Sequence, residues 1–325
     1  MKRAIKVAAE SWPLKTVFNI SRGAKRTADI VVVEITEGGF EGLGECVPYP
    51  RYGESQSQVI EDIRSVFPQI EAGISRQDLQ HLMPAGAARN AVDCALWQLE
   101  AHKNGSRLAG LFGLGEFPPV RTAQTISLDT PDRMAAAAKE IGAGLIKIKL
   151  GDTDIAKSVI AVREAAPKAK IIIDANEAWS MAQLSDALPI LVDAKVDLIE
   201  QPLPQGRDGD LEYLKSPIPI CADESCHSTE NLEDLAKLYD AINIKLDKTG
   251  GLTEALKLRV SAESLGLDVM LGCMICTSLS IGPIFAMARG VEFIDVDGPL
   301  WLEDDRPNGC VFDGRRMHPP RIMTV

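Results

Sequence analysis

The sequence predicts an α/β protein in which a parallel β/α barrel follows a smaller α+β domain. Two observations carry the barrel. Short apolar runs at 145–149, 170–174, 197–200, 218–223 and 241–245 close on Lys149, Asp174, Glu200, Asp223 and Lys245, which lie 25, 26, 23 and 22 positions apart. Each interval holds one strand, one helix and two loops. Amphipathic stretches fall between them, as at 155–165 (Ile155, Val159, Val162) and 232–239 (Leu232, Leu235, Leu238), giving the apolar stripes that cover a barrel. A third observation sets the first 115 or so residues apart, because they lack this cadence.

In chain order, the alternating runs 30–35 and 42–46, joined by Glu37-Gly38-Gly39, predict an antiparallel hairpin. Helices are expected over 57–67 and 87–103, where Ala91, Ala95, Leu96 and Leu99 keep helical spacing. The glycines of 110–115 form a linker rather than a phosphate loop, since no strand precedes and no helix follows. Strands at 120–126, 268–272 and 292–297 bring the barrel count to eight. The 28 residues after Asp297, rich in Pro, Gly and Arg, are too few for an eighth helix and are expected to return to the N-terminal domain. The expected division is 1–118, 119–300 and 301–325.

A net charge of −11 argues against a nucleic-acid partner. No apolar run reaches membrane-spanning length, and residues 1–5 lead into a strand rather than a signal core. Seven cysteines, an odd number scattered through apolar elements, fit reduced thiols in a cytoplasm. The close pair Cys273 and Cys276 lacks the second pair of a zinc site and the helix start of a redox motif.

Chemistry in parallel barrels sits where the strands end. One charged strand end is as often a plain surface charge. Five in the order base, acid, acid, acid, base are not. Asp174, Glu200 and Asp223 close adjacent strands, and ionised carboxylates that close need a cation. An all-oxygen set suits Mg²⁺, and no histidine competes as a zinc ligand. Lys149 and Lys245 lie four strands apart and face each other across the mouth. A metal-chelated carboxylate has an acidified α-proton, which one lysine can remove from one face while the other returns it on the opposite face. Lys147 shares the face of Lys149, where it assists electrostatically or pairs with a carboxylate.

These residues resemble a known family. Lys147-Ile148-Lys149, Asp174-Ala175-Asn176, Glu200-Gln201-Pro202, Ala222-Asp223-Glu224-Ser225 and Asn243-Ile244-Lys245 are similar to the motifs of the enolase superfamily, muconate-lactonizing subgroup. The resemblance spans essentially the whole chain. It implies a modified (β/α)7β barrel, an α+β capping domain completed by the C-terminal tail, Mg²⁺, and a lysine base. It also marks Asn176 and Glu224 as partners of the metal ligands, with ordinary loop hydrogen bonding as the alternative.

Asp295 and Asp297, two apart on the last strand, point to one face opposite the metal and call for a cation. A substrate ammonium meets that need, which makes the substrate a dipeptide epimerised at its C-terminal residue. The segments 295–299, 271–274, 48–55 and 85–90 are similar to those of dipeptide epimerases. Arg22, in a loop with Lys25 and Arg26, is expected to grip a substrate side-chain carboxylate. The expected reaction therefore interconverts L-Ala-L-Glu and L-Ala-D-Glu. Tyr49, Arg51 and Tyr52 shape the same pocket or pack the domain interface. Cys273 and Met274 touch the dipeptide through their main chain or serve packing. The competing readings are an N-acylamino acid racemase or o-succinylbenzoate synthase, a Schiff-base aldolase, and a non-catalytic carboxylate binder. Oligomeric state is not encoded legibly, although a homo-oligomer is compatible with the family.

Overall fold

The structure, a computed structural model, describes residues 3–21, 23–142 and 144–322. The N-terminal part opens with a three-stranded antiparallel sheet, β1 (Ala4–Ile20), β2 (Gly23–Glu37) and β3 (Phe40–Cys46). Glu37 pairs with Phe40 across a two-residue turn, and Gly38 and Gly39 both have positive φ (64° and 89°). That combination matches the twist of a hairpin and costs little only for glycine. The helix Ala87–Lys103 is buried along most of its length because it lies between this sheet and the barrel. Its polar residues serve as clamps. Asn90 Nδ2 donates to Asp247 Oδ1 at 2.8 Å, Arg89 Nη2 donates to Thr249 O at 2.6 Å, and Trp97 Nε1 donates to Thr253 Oγ1 at 2.9 Å.

The barrel sheet runs in sequence order: β4 (Ala123–Ile126), β5 (Leu145–Lys149), β6 (Lys170–Asp174), β7 (Leu198–Glu200), β8 (Ile220–Ala222), β9 (Ala241–Ile244), β10 (Asp268–Gly272) and β11 (Phe293–Asp295). All neighbouring pairs are parallel. The end strands meet through side chains. Val296 N donates to Thr122 Oγ1 at 2.9 Å, and Thr125 N donates to Asp297 Oδ2 at 2.7 Å. The barrel is thus nearly closed, and no α-helix follows its eighth strand among the described residues.

Strand alternation divides the side chains. Ile146, Ile148, Ile171, Ile173 and Ile199 point outward into the core shared with the helices. Leu145, Ile172, Leu198 and Met270 fill the floor inside. On three of these strands the next inward position toward the strand end is charged, Lys147, Asp174 and Glu200, and on the fourth it is Gly272, which produces a polar site above an apolar plug.

Several boundaries differ from those expected. The segment 218–223 keeps only Ile220–Ala222 as strand, 292–297 keeps only Phe293–Asp295, and Lys245 is the N-cap of a short helix, Leu246–Thr249. The helix expected over 232–239 forms only at Leu232–Leu235. The tail contacts the cap sheet and the barrel start: Glu303 N donates to Pro13 O, Arg306 Nη2 donates to Glu10 Oε2 at 2.7 Å, and Val120 bridges Met317.

Candidate active site at the strand ends

Asp174, Glu200 and Asp223 come together as the alternation requires. All three are buried, and their ligand oxygens lie within 4.8 Å of one another. Each is held from a different side. Asn176 N donates to Asp174 Oδ1 at 2.9 Å, and Asn243 Nδ2 donates to Glu200 Oε1 at 2.8 Å. The Asp223 carboxylate receives Lys245 at Oδ2 and Lys248 at Oδ1, both at 2.7 Å. Gln201 locks the backbone between two of the ligands, because its Oε1 accepts from Asp223 N at 2.8 Å and from Ser225 N at 3.1 Å. These bonds hold Gln201 at φ 35°, a conformation disfavoured for a residue with Cβ.

Lysines balance the acids. Lys149 Nζ donates to Asp174 Oδ2 at 2.5 Å. Lys147 is 1% exposed, with its ammonium 2.7 Å from Glu200 Oε2, 2.8 Å from Asp295 Oδ2 and 3.0 Å from Asp174 Oδ2. Burial by itself would raise Asp174, but Lys147 and Lys149 outweigh it and hold the carboxyl below its ordinary range. Asp223 is likewise lowered, since Lys245 and Lys248 overcome the burial. Glu200 goes the other way: burial and the neighbouring Asp174 push it up to about 7. Although Glu200 Oε2 lies close to Lys147, it is a buried oxygen that accepts no hydrogen bond from the described residues. Three hard carboxylate oxygens, one of them without a hydrogen bond and raised by its neighbours, fit a divalent cation of the Mg²⁺ type.

A pocket of about 650 Å³, counting the open solvent at its mouth, lies over these groups. Lys149 and Lys245, on strands four apart in the sheet order, both line it. So do Asp295 and Asp297. Their alternation survives the end of β11 because Val296 packs outward, although Asp297 itself caps a 3-10 turn. Asp297 is pushed up to about 7 by burial and by Asp295. Thr125 joins the pair through Asp297 Oδ2 and through Asp295 Oδ1 at 3.4 Å. Cys273, Met274, Asn176 and Glu224 also line the pocket, and Asn176 Nδ2 donates to Glu224 Oε1 at 3.3 Å.

The cap supplies the roof. Tyr49, Tyr52 and Lys25 line the pocket, with Lys25 Nζ 4.8 Å from the centre of the Tyr49 ring. Arg51 does not join them. It pairs with Glu177 through two bonds of 2.9 and 2.8 Å and so ties the cap to the barrel mouth. Arg22 lies outside the described residues.

Sequence reasoning missed Lys248, Asn243, Gln201 and Thr125. Asn243 had a usable signal, since it stands two before Lys245 and so shares its face. It also explains Gly272, where a Cβ would lie 2.5 Å from Asn243 Oδ1.

The comparisons with known proteins agree with this geometry. Residues 130–322 match the family described as Enolase C-terminal domain-like, and residues 2–142 match Mandelate racemase / muconate lactonizing enzyme, N-terminal domain. The L-Ala-D/L-Glu epimerase of Escherichia coli strain K12 is 48% identical over 97% of this chain and 99% of its own length. An N-acetyl-D-glutamate racemase of a Pseudoalteromonas species is 40% identical over 89% of this chain and 93% of its own. The crystal structure of an enolase family member from Agrobacterium tumefaciens, with homology to dipeptide epimerases and with bound sodium and L-Ala-L-Glu, superposes with a TM-score of 0.96. It is 50% identical, with 98% of each chain covered. In strand-end chemistry, architecture and sequence alike, the chain belongs to the enolase superfamily, with the N- and C-terminal domains of its mandelate racemase and muconate-lactonizing branch.

Proposed function

We propose that the protein is a Mg²⁺-dependent isomerase that epimerises a dipeptide at the α-carbon of its C-terminal residue, with L-Ala-L-Glu and L-Ala-D-Glu as the pair. The observation that carries this reading is the placement of Lys149 and Lys245 on strands four apart, both facing one pocket, with the three carboxylates between them. Asp174, Glu200 and Asp223 would hold the metal. When bound, it supplies a positive charge that stabilises the enolate form of the substrate carboxylate. Lys149 and Lys245 exchange the α-proton on opposite faces. Lys147 keeps the acid cluster charge-balanced from below. Asn176 and Glu224 brace the metal ligands.

Asp295 and Asp297 receive the substrate ammonium, and Cys273 and Met274 line the dipeptide's path between the two ends. Arg22 is proposed to take the side-chain carboxylate, with 1–118 as the cap, 119–300 as the barrel and 301–325 as the returning tail. The L-Ala-L-Glu bound in the Agrobacterium structure supports the choice of dipeptide. No helix among the described residues is long and apolar enough to cross a membrane, and we place the enzyme in the cytoplasm, in murein peptide metabolism. The Pseudoalteromonas relative favours a second reading, racemisation of an N-acylated glutamate. Against it stand Asp295 and Asp297, which would face a neutral acyl group.

The test is incubation with L-Ala-L-Glu and Mg²⁺ in D₂O, followed by proton NMR. Loss of the glutamate α-proton signal with appearance of L-Ala-D-Glu, stopped by EDTA, is expected. Turnover of N-acetylglutamate in its place would select the second reading.

A further inference from the structure

The geometry points to Lys248 as a positioning residue: a fixed counter-ion and orienting group for Asp223 that leaves Lys245 available to the substrate. This rests on the two-lysine reading above and extends it to a residue outside the pocket wall. The Lys248 side chain is fully buried, and all three of its protons are used. It donates to Asp223 O at 2.5 Å, to Asp223 Oδ1 at 2.7 Å and to Asn243 O at 2.8 Å. One ammonium therefore ties the end of β8 to β9, and Asn243 carries the tie on to Glu200.

The carboxylate of Asp223 is divided between two lysines. Lys245, which lines the pocket, takes Oδ2, and Lys248, which does not, takes Oδ1. Without Lys248, Lys245 would be the one ammonium among the described residues in hydrogen-bond contact with the Asp223 carboxylate, and an unshared buried pair of this kind is strongly held. Lys245 would then stay on Asp223 instead of turning to the substrate. The opposite wall also sets two lysines on one carboxylate, but there Lys147 and Lys149 share a single oxygen, Asp174 Oδ2, at 3.0 and 2.5 Å, while Oδ1 accepts from Asn176 N. The short helix that carries Lys248 is itself gripped by the cap, through Val47 N to Asp247 Oδ1 at 2.9 Å and through Asn90 and Arg89. Lys248 therefore also links cap docking to the state of one base.

The experiment compares Lys248→Met with wild type and with Lys245→Ala, measuring α-proton exchange in D₂O from L-Ala-L-Glu and from L-Ala-D-Glu separately. Wild type must exchange both, and if it exchanges neither, the two-lysine reading itself fails. Lys248→Met is expected to lose exchange by at least about 100-fold for one stereoisomer, the same one lost in Lys245→Ala, and to keep the other. Mg²⁺ affinity by titration calorimetry is expected to stay within about tenfold of wild type. Equal loss for both stereoisomers, no loss for either, or abolished Mg²⁺ binding would overturn the inference. If Lys248→Met does not fold, Lys248→Gln is read by the same criteria.

Discussion

The two walls of the site do the same job with different local structure. On one wall Lys147 and Lys149 stand on a single strand, two residues apart, and converge on Asp174. On the other, Lys245 caps the short helix just beyond β9 and Lys248 follows three residues later within it, and both converge on Asp223. Lys147 and Lys248 are the more deeply buried lysine of each wall, and of the four only Lys248 does not line the pocket. On the strand-borne wall, alternation along one strand puts both ammonium groups inside. The helix-borne wall depends on the cap, which grips Asp247 and Thr249 from Val47, Asn90 and Arg89. The cap therefore grips the helix that follows Lys245 on one side of the pocket, and on the other it touches the loop after Asp174, through Ser21 to Asn176 O and Arg51 to Glu177.

The largest effect expected is one that both walls share. Chelation of the metal, or Glu200→Gln, should lower epimerisation by at least about 1,000-fold, because Glu200 stands between the walls and is the ligand least satisfied by lysine. Steady-state rates with and without added Mg²⁺ check this, and a Glu200→Gln enzyme with wild-type activity would remove the metal from the account. Next in size, Asp297→Asn and Asp295→Asn should each raise KM for a dipeptide by roughly 10- to 100-fold, through loss of a desolvated ammonium partner. An N-acetylated substrate should gain rather than lose affinity in the same variants, and parallel KM measurements decide it.

A smaller effect separates the walls by pH. Asp247 is pushed up to about 7 by burial, as is Glu45 at the junction of cap, barrel and tail. A carboxyl raised in the folded state adds stability that is complete below its unfolded pKa, near 4, and is lost as pH rises through about 7. The melting temperature should therefore fall over that window. Asp247→Asn, which keeps an acceptor for Val47 N, should remove part of the fall, worth on the order of 1–3 kcal/mol. Melting curves from pH 4 to 8 for both proteins test it, and identical slopes would place the pH dependence elsewhere.

The asymmetry of the walls also explains what could be read in the sequence. Leu145 to Lys149 is a pure alternation, so its apolar face, its charged face and its strand bounds were all legible. The carboxylates were legible for the same reason. Lys248 was not, because nothing in Leu246-Asp247-Lys248-Thr249 announces a helical turn; four residues carry little propensity of their own, and packing by the cap fixes them. The same limit applies to Arg76–Leu82, a helix that was not anticipated and that buries a single side chain, Leu79. It applies in reverse to 232–239, where an apolar period was present but only Leu232–Leu235 closes as α-helix. The long strand β1 was legible only as a beginning. Its burial pattern is mixed throughout, since it forms an edge of the cap sheet.

The most direct measurement of the central claim is stereochemically resolved α-proton exchange in D₂O by Lys149→Ala and Lys245→Ala. Opposed bases predict that neither variant epimerises, and that each still exchanges one dipeptide stereoisomer, a different one for each variant. Exchange of the same stereoisomer by both variants, or inversion by either, would contradict it.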